Sequence, residues 1–248
     1  GGDQTIGRRS AEETRDEIKQ ALVGADMVFL AAGMGGGTGT GSIAVVAELA
    51  KQSGALTVAC VTKPFSFEGS RRMQVAEEGI RQLISKLDTV IIVPNDKLLE
   101  LSDNKTGVDG AFKIADEVLC NAVQAIAEVI TVPGLVNLDF ADVRAIMKDA
   151  GPAWMSVGRG SGQNRTITAA REALASPLLD TSVKGAKGVM FNVVGSSNLT
   201  LFEVSDAAKV IGEAVDPEAN IIFGVNINPH MGNEVKLPLI ATGFESRD

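Results

Sequence analysis

Met27-Val-Phe-Leu-Ala-Ala-Gly-Met-Gly-Gly-Gly-Thr-Gly-Thr-Gly41 decides the fold. Its first six residues are an unbroken apolar run, which is how a strand buried on both faces of a parallel sheet reads. Glycines then crowd the stretch from Gly33 to Gly41, and a helix-like pattern follows from Ser42 to about Gln52. A strand, a glycine-rich turn and a helix in that order make an anion cradle. Glycine carries no Cβ to keep backbone N–H groups from turning toward a ligand, and a helix start adds orphan donors and the positive end of its dipole. Thr38 and Thr40 add hydroxyls. The plainer reading is a flexible turn in a chain with 27 glycines, but a linker does not sit so tightly between a strand and a helix. No Lys-Ser/Thr pair follows the glycines, and no register within Gly33–Gly41 fits G-x-G-x-x-G, so neither common nucleotide fingerprint applies.

Working outward, Leu56 to Val61 reads as a second buried strand and Lys63 to Gly69 as a loop. Arg71 to about Leu87 is expected to be a helix with Val75, Ile80, Leu83 and Ile84 on its apolar side, and Thr89 to Val93 a third strand closed by Pro94. Upstream, Ser10-Ala-Glu-Glu13 has the form of a capping box opening a helix to about Leu22. Gly110 to Ile130 is one long apolar-rich helix, roughly 30 Å if unbroken, the length of a spine between two lobes. Pro133-Gly134 stops it and a new helix starts near Asp139. Beyond it the pattern repeats in smaller form. Strands are expected at Trp154–Val157, Gly188–Val194, Ile221–Val225 and Val235–Ile240, with helices at Arg165–Ala175 and Ser205–Val215. The organisation expected is α/β: a partial Rossmann-like parallel-sheet domain over 1–107, a central helix over 108–131 and a smaller α+β C-terminal domain with a mixed sheet over 132–248.

Composition narrows the function. Among 248 residues, 23 basic and 31 acidic side chains give a formal charge of −8, which argues against a nucleic-acid binder, since that affinity comes from clustered Lys and Arg. Tyr is absent and Trp154 is the one Trp, so stacking platforms for single strands are poorly supplied. No apolar run reaches the ~20 residues that span a bilayer, and the polar start, Gly1 to Arg15, is no secretory signal. Cys60 and Cys120 exclude a disulfide scaffold and suit a reducing cytoplasm. With His230 the sole histidine, no zinc-type metal cage is expected.

Four stretches, Ala31–Gly41, Thr62-Lys-Pro-Phe-Ser-Phe-Glu-Gly69, Pro94-Asn-Asp-Lys97 and Gly134-Leu-Val-Asn-Leu-Asp-Phe-Ala-Asp142, together resemble the bacterial-type FtsZ branch of the tubulin/FtsZ superfamily, in order and spacing. The likeness runs from Gly1 to about Gly243. It implies a guanine-nucleotide site in which Gly35, Gly36, Gly37, Thr38, Gly39, Thr40 and Gly41 bind phosphates, Glu68 the ribose and Arg72 the phosphates. Asn95 would then meet base or ribose, Phe112 stack on the base, and Asp116 accept from guanine N–H groups. Read without the resemblance, Glu68 and Arg72 are a solvated helix start. Phe112 and Asp116, spaced i, i+4 and so on one face, are a core ring beside a solvated carboxylate. Asn137, Asp139 and Asp142 would complete catalysis on the next subunit's GTP. From sequence alone, capping explains the two carboxylates equally well, Asp139 as an N-cap and Asp142 in the first turn. Kept ionised there, they are weak bases suited to polarising water. The long helix intervenes, so they are expected to act on a neighbour's nucleotide.

The resemblance further implies GTP and GDP as ligands with Mg2+, room for a monovalent cation beside the catalytic loop, and head-to-tail self-association into filaments in the cytoplasm at the division site. Nucleic acid and direct membrane binding are not expected. The family carries a further N-terminal segment, with another glycine-rich loop, before the position matching Gly1, and a C-terminal peptide for membrane-tethering partners. Neither is in this sequence. The strand at Met27–Ala32 is therefore expected to lack a neighbour, this chain alone to bind GTP weakly, and the N-terminal segment to act as a partner in trans. The competing reading is a catalytically incompetent assembly or capping module of the same family.

Overall fold

The computed structural model describes residues 2–100, 107–131, 139–179 and 183–244. They form two compact units, one of residues 1–120 with 147–152, the other of 121–146 with 153–248.

The first unit is built on three parallel strands in the order β1 (Met27–Gly33), β2 (Leu56–Lys63), β3 (Thr89–Pro94). Met27 faces Leu56 and Val58 faces Thr89, so the strand ends Gly33, Lys63 and Pro94 come out along one edge. Helices α3 (Thr38–Gln52) and α4 (Ser70–Ile84) are the crossovers that parallel pairing requires. The central strand β2 is buried almost throughout, and burial among apolar neighbours pushes the Cys60 thiol up to about 12, which keeps it inert. Buried Asp88 ties the turn before β3, accepting from the Thr57 N–H at 2.9 Å and the Asp149 N–H at 3.3 Å.

Helices α1 (Gln4–Glu13) and α2 (Arg15–Ala21) precede β1. The expected capping box at Ser10 is not used. The N-cap is Asp3, whose carboxylate accepts from the Thr5 N–H at 2.8 Å, and Ser10 lies inside the helix. Gly7 disguised this start, because a mid-helix glycine costs about 1 kcal/mol against Ala. Contact decides the matter: a Cβ on Gly7 would strike the carbonyl of Gly37, so glycine lets α1 lie against the start of α3. Ala11 packs with Val45 and Leu49 below. The same contact moves the start of α3 four residues earlier than the pattern indicated, to Thr38.

In the second unit the strand order is β4 (Gly151–Ser161), β7 (Glu234–Thr242), β5 (Gly188–Gly195), β6 (Asn220–Ile227). β7 runs antiparallel to both neighbours while β5 and β6 are parallel, the mixed sheet expected. Helices α8 (Arg165–Leu174) and α9 (Leu201–Ala214) cover one face through Ala169, Ala173, Val204 and Ile211 against Phe191, Leu237 and Leu239. α9 starts four residues before the expected Ser205, because Thr200 caps it and Glu203 reaches back to the Thr200 N–H at 2.9 Å. Buried Arg165 pairs with Glu203 at 2.7 Å and joins the two helix starts. Between the two strand systems the chain runs through α5 (Asn95–Leu99), α6 (Val108–Thr131) and α7 (Phe140–Met147). Among the described residues, no helix is long and apolar enough to cross a membrane.

Glu48 of α3 accepts from Lys86 at 2.6 Å and from Arg15 at 2.9 Å, joining α2, α3 and the segment after α4. Those two bonds hold its carboxyl near 2, below the ordinary 4.5. A depressed native pKa stabilises the fold above the unfolded value and loses that stability as pH falls through the folded one. Urea unfolding should therefore show Glu48→Gln less stable than the unsubstituted protein at pH 7, with the difference closing between pH 4.5 and about 2.

Candidate functional site

The three strand ends of the first unit each deliver a loop to one edge of the sheet. β1 leads into the glycine turn, β2 into a 3-10 turn at Ser66–Glu68, and β3 into α5. Ligands of open parallel sheets bind beyond this carboxyl edge.

In the first loop the glycines divide by what holds them. Gly35 has φ +99° and lies against the carbonyl of Arg72, which a Cβ would approach to 2.8 Å. A Cβ on Gly37 would meet the Asp3 carbonyl at 2.9 Å, and one on Gly39 the Gly33 carbonyl at 2.7 Å. On Gly41 it would strike the backbone of Gln4 and Arg8 in α1. All four are seated against backbone. Gly36 differs: its φ is ordinary and a Cβ there would meet nothing within 4 Å. Neither conformation nor packing requires glycine at that position. Thr40 is buried and its hydroxyl accepts from the Gly35 N–H at 2.8 Å, closing the loop on itself, while Thr38 is exposed. With Gly37 as N-cap, the first amides of α3 have no partner within the helix.

Glu68 is half-buried on the second loop; its carboxylate accepts from the Phe65 N–H at 3.0 Å and pairs with Arg72, one turn along in α4. Asn95 begins α5; it is 5% exposed and its Oδ1 has no hydrogen-bond partner. Beside it, the Asp96 carboxylate accepts from the Ser66 N–H at 2.8 Å and the Ser66 hydroxyl at 2.5 Å, fastening the third loop to the second. Phe112 and Asp116 are exposed near the start of α6. The Phe112 ring meets Phe65 and Phe67 of the second loop, with centroids at 5.3 and 6.4 Å. Glycine loop, Glu68, Arg72, Asn95 and Phe112 thus belong to one run of contacts within the first unit.

Asp139 and Asp142 lie in the second unit, exposed at the start of α7. They cap reciprocally: the Asp142 N–H donates to Asp139 at 2.9 Å and the Asp139 N–H to Asp142 at 3.3 Å. Asn137 lies outside the described residues. Asp96 and Phe67 stand inside two of the motif stretches, but their contacts could not be read there, because they join segments that periodicity treats separately. Among the described residues, no group of three or more His, Cys, Asp or Glu side chains could hold a metal ion.

Residues 1–103 match the family model of the tubulin/FtsZ family GTPase domain, and residues 151–245 that of the FtsZ family C-terminal domain. An empty FtsZ dimer from M. jannaschii is 46% identical, with a TM-score of 0.96 over 100% of this chain and 72% of that one. Two Haloferax volcanii structures share the fold. They are CetZ1 as a GDP-bound monomer, at 20% identity and TM-score 0.80 over 99% of this chain and 74% of that one, and CetZ2 as a GTPγS-bound protofilament, at 18% and 0.81 over 99% and 75%.

The division among the glycines is directly testable by unfolding. Gly41→Ala should cost about 1–3 kcal/mol, the penalty of forcing a methyl into filled space. Gly36→Ala, in open space at an ordinary φ, should change stability by no more than ~0.5 kcal/mol.

Proposed function

The chain belongs to the tubulin/FtsZ family, and from that premise we propose that it binds GTP on its first unit and assembles head-to-tail into filaments of the cytoplasmic division ring, each molecule completing its neighbour's hydrolytic site. The observation that carries the nucleotide site is Gly36, a glycine that the fold does not need, in the loop that runs into the start of α3. A phosphate oxygen fits that space; a methyl group would displace it.

In this reading the loop amides and the first turn of α3 hold the phosphates. Arg72 exchanges Glu68 for a phosphate oxygen, which frees the Glu68 carboxylate for the ribose hydroxyls. Phe112 stacks on the base, the unpaired Asn95 Oδ1 accepts a hydrogen bond from base or ribose, and Asp116 accepts from the guanine N1–H and N2–H₂. The protein offers no carboxylate cage for Mg2+ among its described residues, so no step is assigned to the ion. It would be held by phosphate oxygens and water and would neutralise phosphate charge there.

Asp139 and Asp142 of one molecule orient a water at the γ-phosphorus of the next, with Asn137 beside them. The water oxygen forms the new P–O bond, the bond to the β-phosphate oxygen breaks with its electron pair leaving on GDP, and the water proton ends on the released phosphate. The reciprocal capping bonds hold the two carboxylates side by side at the start of α7, where both can accept from one water. A contact of unlike surfaces repeated in this way generates open filaments.

Three outcomes follow. GTP should bind more tightly than ATP, and Asp116→Ala should erase most of the difference, because adenine leaves the acceptor unpaired; equal affinities in the unsubstituted protein exclude the guanine assignment. Gly36→Ala should weaken GTP binding by roughly tenfold, about 1.4 kcal/mol, with the fold intact. GTP turnover per molecule should rise steeply with protein concentration, and Asp142→Ala should abolish it while leaving GTP binding in place; turnover flat from dilute to concentrated protein excludes a shared site.

A further inference from the structure

Phe65, Phe67 and Phe112 form a three-ring cluster in the first unit. Phe65 is fully buried. Phe67 stacks on it with centroids 5.0 Å apart and planes 12° from parallel, yet is itself 60% exposed. Phe112, 41% exposed, stands across both, at 90° to Phe65 and 87° to Phe67. Edge-to-face contacts of this kind set a ring's orientation as well as its position.

Phe67 is held firmly for so exposed a ring. Its neighbour Ser66 is fastened to Asp96 through both its N–H and its hydroxyl, at 2.8 and 2.5 Å. On the other side, Glu68 is bonded to the Phe65 N–H at 3.0 Å and to Arg72. The loop is pinned on both flanks, and the rings at its tip are packed against one residue of α6.

We propose that Phe67 is a positioning residue for nucleotide. With Phe65 behind it, it holds the Phe112 ring side-on before any ligand arrives, so that the flat face of Phe112 is already presented to a purine base. The Asp96–Ser66 clasp keeps Phe67 in station and puts Asn95, the adjacent residue, in the same rigid piece. A ring fixed in advance loses less side-chain freedom when a base stacks on it, and the saving appears as affinity. The proposal rests on Phe112 being the base-stacking residue.

The test is a double-mutant cycle on the 248-residue chain with GDP as ligand, titrated to millimolar concentration and followed by NMR. Phe67→Ala should weaken GDP binding about three- to tenfold, the range of one aromatic contact, and Phe67→Tyr should restore it. At saturating GDP, the ring-current shift of the guanine H8 proton should shrink in Phe67→Ala, a signal that a purely structural role would not move. In a Phe112→Ala background, Phe67→Ala should have no further effect. Losses that add across the cycle, or a Phe67→Ala protein with unchanged affinity and unchanged H8 shift, overturn the proposal. If Phe112→Ala itself leaves GDP affinity intact, or the unsubstituted protein binds no GDP, the underlying site reading fails as well, so the two failures are told apart.

Discussion

Backbone contact around the first turn of α3 is the constraint on which the rest of the first unit depends. Gly37 and Gly41 lie against α1, Gly39 against the end of β1, and Gly35 against the start of α4. At each, a single methyl group would meet main-chain atoms, which cannot rotate out of the way as a side chain can. The loop is therefore clamped from several sides, with Thr40 closing it from within. Rigidity of this sort is what an anion site needs, since donors fixed in advance do not have to be ordered by the ligand.

The chain's overall charge of −8 works against binding a polyphosphate at long range, so the affinity has to be local. Neutral amides and a helix dipole can supply such affinity without adding side-chain charge. The one cation in the immediate loop system that the reading uses, Arg72, is paired with Glu68. That pair ties the second loop to the first turn of α4. Parallel pairing does the rest: β1, β2 and β3 run the same way, so their three following loops come out along one edge.

What could be read from the sequence follows from what is local. The strands were legible because a fully buried strand is a continuous apolar run: Met27–Gly33, Leu56–Lys63 and Thr89–Pro94 all lie where that pattern stands. Helix starts were not. Thr38–Gly41 is poor in helix formers, and Gly7 sits mid-helix, yet both segments are helical because α1 and α3 pack through those glycines. Thr200 caps α9 five residues before Ser205, where the sequence pattern places the helix start. In the site, the glycine turn announced itself, but its division into four seated glycines and one unconstrained glycine needs the partners of each Cβ. The Asp96–Ser66 clasp spans thirty positions of chain, and no spacing rule reaches that far.

The central claim is that the amides of the glycine turn and the first turn of α3 receive the phosphates of a guanine nucleotide. Backbone amide NMR of the isotope-labelled protein titrated with GDP and, separately, with ADP tests it most directly. GDP should shift the amides of Gly35 to Thr40 together with the Asn95 side chain and residues around Phe112, saturating along one curve, while ADP shifts them only at much higher concentration. GDP shifts scattered outside that group, or equal responses to the two nucleotides, would contradict the account.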